Sequence, residues 1–165
     1  MSYHTEFLNS SHTRDEFDCE QESLNLYIQK HASQDVERHL AACFVMANEQ
    51  NEIKGYYTLS NLSIDKDLIP ISIRKKLSYK NLPVTFLGRL ARDRKYKTER
   101  LGETLLLDAL YRCYNISLNI GSMAVVVDPI DEKAQTFYLK YGFKNLTDSK
   151  KMFISMKTIS QLFKS

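Results

Sequence analysis

Cysteine and histidine are scarce in this sequence, and their placement excludes two kinds of site. Cys19, Cys43 and Cys113 are widely separated, which fits neither a paired disulfide framework nor a close-spaced zinc pattern. The four histidines lie in the first quarter of the chain, without an HExxH motif or a carboxylate at ligand spacing. We therefore predict buried thiols and no metal site.

Long apolar runs are also missing. No stretch approaches the roughly 20 apolar residues that span a bilayer, and the opening MSYHTEFLNSSHTRDEFD has neither an apolar core nor a cleavage site typical of a secretory signal. The 165 residues include 43% hydrophobic and 26% charged residues, as in soluble globular proteins. We expect a single domain over residues 1–165, in the cytoplasm and without membrane association.

Two common phosphate-binding motifs, GxxxxGK[ST] and GxGxxG, are absent as well. A strand, a basic loop and a helix nevertheless follow one another in Val84–Leu110, VTFLGRLARDRKYKTERLGETLLLDAL. Such a unit directs backbone N–H groups and the positive end of a helix dipole at one point, as a pyrophosphate requires. A second strand and helix follow in Met123–Phe143.

Basic residues are concentrated in two groups, although the net charge is only +3. Five of them lie between Arg92 and Arg100 against two acidic residues, and a second group occupies Arg74–Lys80. This asymmetry gives one end of the molecule a field that attracts phosphate. A solvated charged surface is the alternative for the Arg74–Lys80 group.

Residue periodicity predicts the remaining elements. In the first half we expect a helix over about 19–33 begun by a capping box of Asp18 and Gln21, a hairpin of residues 42–47 and 53–64, a short helix from Pro70 to Leu77, and a chain break at Asn81–Pro83 before a strand at Val84–Asp93. In the second half we expect a helix at Leu101–Leu118 stopped by Gly121, a strand at Met123–Val127, a helix opened by Pro129 and closed by Gly142, and a last strand at Lys151–Lys157 before a short tail.

The segments LGRLARDRKYKTERLG and VDPIDEKAQTFYLKYGF together resemble the GNAT N-acetyltransferases, and within them the toxin-like group that acetylates aminoacyl-tRNA. The resemblance runs from FDCEQESLNLYIQKHA at residues 17–32 through GYYTLS at 55–60 to the end of the second strand–helix unit. It implies the α/β (α+β) GNAT fold, with a mixed twisted central sheet, helices on both faces and splayed central parallel strands.

The resemblance also implies acetyl-CoA as cosubstrate and assigns site residues. Pantetheine would bond the backbone of Leu90, Ala91 and Arg92 like an added strand. Tyr138 would be the general acid that protonates the departing CoA thiolate, although Phe137 and Tyr138 could instead be ordinary core aromatics. The loop and helix start that would hold the pyrophosphate comprise Lys97, Thr98, Glu99, Arg100, Leu101, Gly102 and Glu103.

One position departs from the usual family loop, (Q/R)xxGx(G/A). Arg100 stands where the first glycine is expected, and Lys97 replaces Gln or Arg. Glycine suits that position because it allows close approach of phosphates and unusual φ angles. The Arg100 side chain either folds outward to meet a phosphate or obstructs the loop, and obstruction would leave a non-enzymatic binding module.

For the acceptor, the resemblance implies the α-amino group of aminoacyl-tRNA, with a small-molecule or protein amine as the alternative. It further implies a ribbon-helix-helix antitoxin as partner and a homodimer. Arg89 would lie near the acyl site or simply brace the sheet. The residues expected to contact RNA phosphates are Arg89, Arg92, Arg94, Lys95, Arg74, Lys75 and Lys76.

Overall fold

The structure, a computed structural model, describes residues 2–164. It is a mixed α/β fold around a seven-stranded sheet of order β1-β2-β3-β4-β5-β7-β6. The strands are β1 (Glu6–Phe7), β2 (Ala42–Ala47), β3 (Ile53–Asp65), β4 (Asn81–Arg92), β5 (Ala124–Val127), β6 (Lys144–Asn145) and β7 (Met152–Ser155).

Six α-helices accompany the strands in the described residues. They are α1 (Glu22–Leu26), α2 (Ala32–Glu37), α3 (Ile71–Arg74), α4 (Leu101–Ser117), α5 (Glu132–Lys140) and α6 (Met156–Leu162). A π-helical turn (Tyr27–His31) joins α1 to α2, and 3-10 turns occupy Lys66–Leu68 and Arg94–Glu99. None of these helices is both long and apolar enough to cross a membrane.

The chain divides into two compact units, each made of two separate stretches. The first contains the residues up to Ser60 together with Leu87–Arg112, and the second contains Asn61–Phe86 together with the residues from Cys113 onward. Strands β3 and β4, of 13 and 12 residues, contribute to both units because each is long enough to leave one and enter the other.

The core of the first unit is built around buried tyrosines. Tyr56 is fully buried; its ring lies 5.6 Å from that of Phe17 and stacks on that of Tyr27 at 6.2 Å. Ile28 and Val45, both fully buried, belong to the same cluster. Burial of such large side chains is the main stabilising contribution of this unit.

The core of the second unit forms where β4 and β5 pair. Val84 and Val126 are buried with Phe153 of β7. All four residues of β5 are buried, which explains why its sequence is a continuous apolar run. The parallel pairing joins Thr85 to Val125 and Phe86 to Val126.

Beyond that pairing, β4 is much longer than its neighbour. In this register Val127, the last residue of β5, corresponds to Leu87, whereas β4 continues to Arg92. The residues 88–92 of β4 therefore have no residue of β5 to pair with.

The sequence correctly predicted the β2–β3 hairpin, the strand that became β4 and the helix α4, but the starts of two helices were wrong. The Asp18–Gln21 capping box does not form; α1 begins at Glu22 without a side-chain cap, and Asp18 instead accepts the N–H of Glu20. Helix α5 begins at Glu132, well after Pro129, because the Asp131 carboxylate accepts the Ala134 N–H at 2.8 Å and caps the helix there.

Proline and glycine signals misled two further predictions. Asn81–Pro83 lies inside β4, where exposed Pro83 alternates with buried Leu82 and Val84 and its carbonyl accepts the Met123 N–H. Helix α4 ends at Ser117, before Gly121, whose φ is not positive.

The C-terminal prediction was too long for the strand and missed a helix. The strand covers Met152–Ser155, and the Ser155 hydroxyl then accepts the Thr158 N–H at 3.1 Å, so that α6 begins where a tail was expected. Helix α3 also stops at Arg74, three residues before the predicted end.

Candidate active site

Gly55 of β3 lies close to the end of β4 and to helix α4. A Cβ at Gly55 would lie 2.6 Å from Cδ1 of Leu105 and 3.0 Å from the carbonyl oxygen of Ala91. A side chain at this glycine of the GYYTLS segment would require the Leu105 side chain to move and the Ala91 backbone to shift slightly. Gly55 thus allows close packing against Ala91, one of the three residues predicted to bond pantetheine.

The turn after β4 leads into helix α4, whose start presents backbone donors. The helical bonding of α4 starts with the Thr104 N–H on the Arg100 carbonyl at 3.2 Å, so that the N–H groups of its first turn, Leu101, Gly102 and Glu103, have no acceptor within the helix. Three such N–H groups at the positive end of a 17-residue helix form an arrangement suited to a pyrophosphate.

The basic residues of this turn differ in whether a carboxylate already neutralises them. Lys97 pairs with Glu20, and Arg94 lies 3.6 Å from the Asp18 carboxylate. Arg92, Lys95 and Arg100 form no ion pair with any described residue. Their charge is therefore available to a phosphate, whereas that of Lys97 and Arg94 is partly used within the protein.

Arg100 has the conformation for which a glycine is normally selected. Its φ is 52° and ψ 35°, in the left-handed region, and its side chain is exposed. A left-handed conformation costs a non-glycine residue roughly 1–2 kcal/mol. Arg100 thus adopts the left-handed conformation that a glycine would readily take at this position, and the exposed side chain supports the outward orientation.

Replacing Arg100 with glycine should therefore not destabilise the protein. We expect Arg100→Gly to leave the free energy of unfolding unchanged or to raise it by up to about 1 kcal/mol, since the relieved strain offsets the extra entropy of an unfolded glycine. Urea denaturation measures it, with Lys95→Gly, a glycine placed in the same exposed turn, as control. Equal destabilisation by both variants would contradict the strain argument.

The end of α5 fixes the backbone of Tyr138 through a Schellman motif. The Phe143 N–H donates to the Tyr138 carbonyl at 3.2 Å and the Gly142 N–H to the Leu139 carbonyl at 3.1 Å, with Gly142 at φ +98°. The rings of Tyr138 and Phe143 pack at 5.1 Å, which is the apolar contact typical of the motif. This motif explains the YGF sequence at residues 141–143, because Gly142 adopts the left-handed conformation and Phe143 makes the apolar contact.

The Tyr138 ring is buried, but its hydroxyl donates no hydrogen bond to any described residue. Burial alone raises its pKa above the ordinary tyrosine value. The phenol is consequently protonated at neutral pH, as a general acid must be, and burial makes it a weaker acid than an ordinary tyrosine.

Arg89 is engaged within the first unit. Its guanidinium carbon lies 3.5 Å from the centre of the Tyr27 ring, and the Tyr27 hydroxyl donates to Asp35 at 2.8 Å. Burial raises the pKa of Tyr27, while the Arg89 charge lowers it. The bracing role considered for Arg89 has direct support in this contact.

The second basic group lies on and after α3. Arg74 donates to the Asp67 carbonyl at 2.9 Å and has the Asp67 carboxylate at 3.8 Å, so that it holds the 3-10 turn before the helix. Lys75 and Lys76 are exposed and form no ion pair in the described part of the chain. The three predicted RNA contacts of this group thus separate into one structural arginine and two free lysines.

A buried polar network in the first unit escaped the sequence argument. Asp108 is fully buried in α4 and accepts the His4 N–H at 2.6 Å and the hydroxyls of Thr5 and Tyr57 at 2.5 and 2.7 Å. Arg112 donates from Nε to the Tyr57 hydroxyl at 2.9 Å. The signal was a lone carboxylate inside the apolar run LLLDAL, where a charge must be paired to be buried.

Asp93 was likewise missed as a buried group, because it stands among basic residues and reads as a surface charge. It is only 2% exposed at the junction of β4 and the turn.

Among the described residues, no group of three His, Cys, Asp or Glu side chains converges in a way that could hold a metal ion.

The mixed sheet, in which β4 is longer than its parallel neighbour β5 and leads through a basic turn into α4, is that of an acetyltransferase of the GNAT fold. No family model matches the chain. It is, however, 31% identical over 142 residues to a tRNA-acetylating toxin of Mycobacterium tuberculosis, covering 86% of this chain and 84% of the relative. The chain belongs to this family of tRNA-acetylating toxins.

Further relatives agree with that assignment. A probable toxin TacT of Sinorhizobium fredii is 26% identical over 161 residues, with 92% of this chain and 89% of the relative covered. A tyrosine-to-phenylalanine mutant of KacT superposes with a TM-score of 0.90 at 30% identity, covering 96% of this chain and 98% of KacT. AtaT complexed with acetyl-methionyl-tRNAfMet gives the same TM-score and identity, covering 97% of this chain and 98% of AtaT.

Proposed function

We propose that this protein transfers the acetyl group of acetyl-CoA to the α-amino group of an amino acid esterified to tRNA, and so blocks translation as a toxin. The observation that carries the proposal is the agreement, over 97% of the chain, with AtaT complexed with acetyl-methionyl-tRNAfMet. Residues 1–165 would act as one acetyltransferase domain in the cytoplasm, where charged tRNA is found.

The residues at the end of β4 and in the following turn fit acetyl-CoA. The backbone of Leu90, Ala91 and Arg92 lies beyond the reach of β5 and can bond the pantetheine amides as an added strand would. The first-turn N–H groups of residues 101–103 would cradle the pyrophosphate, with the Arg100 and Lys95 charges beside it. A structure of AtaTR bound with acetyl-CoA, at 31% identity and a TM-score of 0.85, supports this assignment.

The reaction requires one protein proton donor. The amine nitrogen attacks the thioester carbonyl, a tetrahedral oxyanion forms, and the C–S bond then breaks to release a thiolate. The Tyr138 hydroxyl, which burial keeps protonated and which bonds no other described residue, would give its proton to that sulfur. The α-amino group of an amino acid ester is partly neutral near pH 7, so that water can accept the proton lost by the nitrogen.

The structural neighbours also support a proposal about protein partners. AtaT has been solved bound to the C-terminus of the antitoxin AtaR, and KacTA in a complex with DNA, each at 28% identity and a TM-score of 0.83. We propose a ribbon-helix-helix antitoxin for this protein, and a homodimer as its free form. A small-molecule or protein amine remains the competing acceptor.

The decisive experiment incubates the protein with radiolabelled acetyl-CoA and total aminoacylated tRNA. We expect label on the α-amino group of RNA-bound amino acid, and none on deacylated tRNA or on free amino acids. Labelling of free amines at a comparable rate would favour the competing acceptor. Absence of heat and of a thermal shift on titration with acetyl-CoA would instead indicate a non-enzymatic module.

The two free lysines after α3 provide a test of RNA binding. We expect the double variant Lys75→Gln, Lys76→Gln to raise KM for aminoacyl-tRNA and to reduce the salt slope of log KM by about two, one per lost phosphate contact. KM for acetyl-CoA should not change. Lys157→Gln, an exposed lysine of α6 outside both basic groups, is the control, and an equal effect there would indicate a merely general charge effect.

A further inference from the structure

Asp93 holds two separate chain segments through one buried carboxylate. Its Oδ1 accepts the Lys95 N–H at 2.9 Å, within the turn that follows β4, and its Oδ2 accepts the Asp18 N–H at 3.1 Å, in the segment before α1. With the side chain only 2% exposed, neither bond competes freely with water.

The backbone of the same residue fixes the end of β4. The Asp93 N–H donates to the Lys54 carbonyl at 2.7 Å, and its carbonyl accepts the Tyr96 N–H at 3.1 Å. No cationic side chain of the described residues forms an ion pair with this carboxylate. The carboxylate oxygens are instead held by backbone N–H groups, and removing either oxygen as an acceptor leaves a backbone donor without its partner.

The segment held by Asp93 reinforces the turn from outside. We call residues 18–20 the acidic strap. The Arg94 N–H donates to the Asp18 carbonyl at 2.9 Å, and Glu20 pairs with Lys97. The strap is itself ordered by Asn25, whose side chain accepts the Cys19 N–H at 2.8 Å and donates to the Asp18 carboxylate at 3.1 Å.

We propose that Asp93 is a positioning residue that orders the turn of residues 94–100 in its binding geometry before acetyl-CoA arrives. It does not touch the substrate; it acts by fixing Lys95 and the acidic strap, from which the turn gains its shape. The proposal rests on the proposed function, in which this turn leads into the pyrophosphate cradle. Ordering the turn in advance removes an entropy cost from cofactor binding. Asp93 should therefore affect the affinity for acetyl-CoA and not the rate of the chemical step.

The test compares Asp93→Asn with Asp65→Asn. Asparagine at 93 keeps one acceptor oxygen but turns the other into an NH₂ group that faces a backbone N–H. Asp65 is a matched control, since its carboxylate accepts the Asp67 N–H at 2.9 Å in the other 3-10 turn, which belongs to the second unit. We expect Asp93→Asn to raise KM and Kd for acetyl-CoA roughly tenfold, with kcat at saturation and KM for aminoacyl-tRNA nearly unchanged, and Asp65→Asn to change neither.

Two results would overturn the inference. One is an Asp93→Asn protein of reduced stability whose affinity for acetyl-CoA equals that of Asp65→Asn, because the role would then be structural only. The other needs no variant: in hydrogen exchange of the free wild-type protein the Lys95 and Asp18 amides should already be protected, and free exchange there would mean that the turn is not ordered in advance. Wild-type protein that fails to bind acetyl-CoA would instead refute the proposed function itself.

Discussion

Tyr138→Phe is expected to lower kcat by about 10²–10⁴, the usual contribution of a positioned proton donor. The variant keeps the ring that packs on Phe143 at 5.1 Å and loses only the hydroxyl, which bonds no other described residue. Stability and the Kd for acetyl-CoA should therefore remain close to the wild-type values. Single-turnover acetylation of aminoacyl-tRNA measures the rate, and calorimetry measures the affinity.

Tyr141→Phe is the matched control for this prediction. Its ring lies 5.0 Å from that of Phe137, one turn beyond Tyr138, and it loses the same atom. We expect its kcat to stay near that of the wild type. A comparable loss of rate in both variants, or a loss of acetyl-CoA binding in Tyr138→Phe, would mean that packing and not proton donation explains the effect.

The pH profile offers a second check on Tyr138. Since burial raises its pKa, the phenol is protonated at every pH below the ordinary tyrosine pKa of about 10. As pH rises through the range below that value, kcat should show no decline caused by loss of this proton. A falling limb near neutrality that disappears in Tyr138→Phe would contradict the assignment.

Asp108→Ala should be the most destabilising single change in the first unit, at about 3–5 kcal/mol of unfolding free energy. It removes the acceptor of three hydrogen bonds and leaves Arg112, whose side chain is 12% exposed, without its nearby carboxylate. The Tyr57 hydroxyl, whose pKa burial raises, would lose an acceptor in a fully buried position. Urea denaturation followed by circular dichroism measures the loss.

Asp67→Ala is the control, because Asp67 also pairs with an arginine but at an exposed position. Its carboxylate is 76% exposed and lies 3.8 Å from Arg74. A surface pair of this kind contributes about 0–1 kcal/mol. If both variants lost similar stability, the buried network around Asp108 would be weaker than its geometry indicates.

Local signals were sufficient for the central part of the fold. The hairpin β2–β3 and the helix α4 were predicted because apolar periodicity there agrees with tertiary packing: Leu101, Leu105 and Ala109 are buried as their spacing requires. The predictions failed where one local signal competed with another. Pro83 suggested a break, but the alternation of buried Leu82 and Val84 decided in favour of a strand.

The sequence by itself determined the family, the acetyl-transfer chemistry and the residues proposed for it, because strand, loop, helix and FYxxxGF occur in a characteristic order. Only the tertiary structure revealed that Arg100 adopts a left-handed conformation, that Gly55 packs closely against Ala91, and that Asp93 is buried. The reason is physical: the burial of Asp93 and the crowding at Gly55 depend on residues distant in the chain, and the residues next to them in the sequence do not encode those distances.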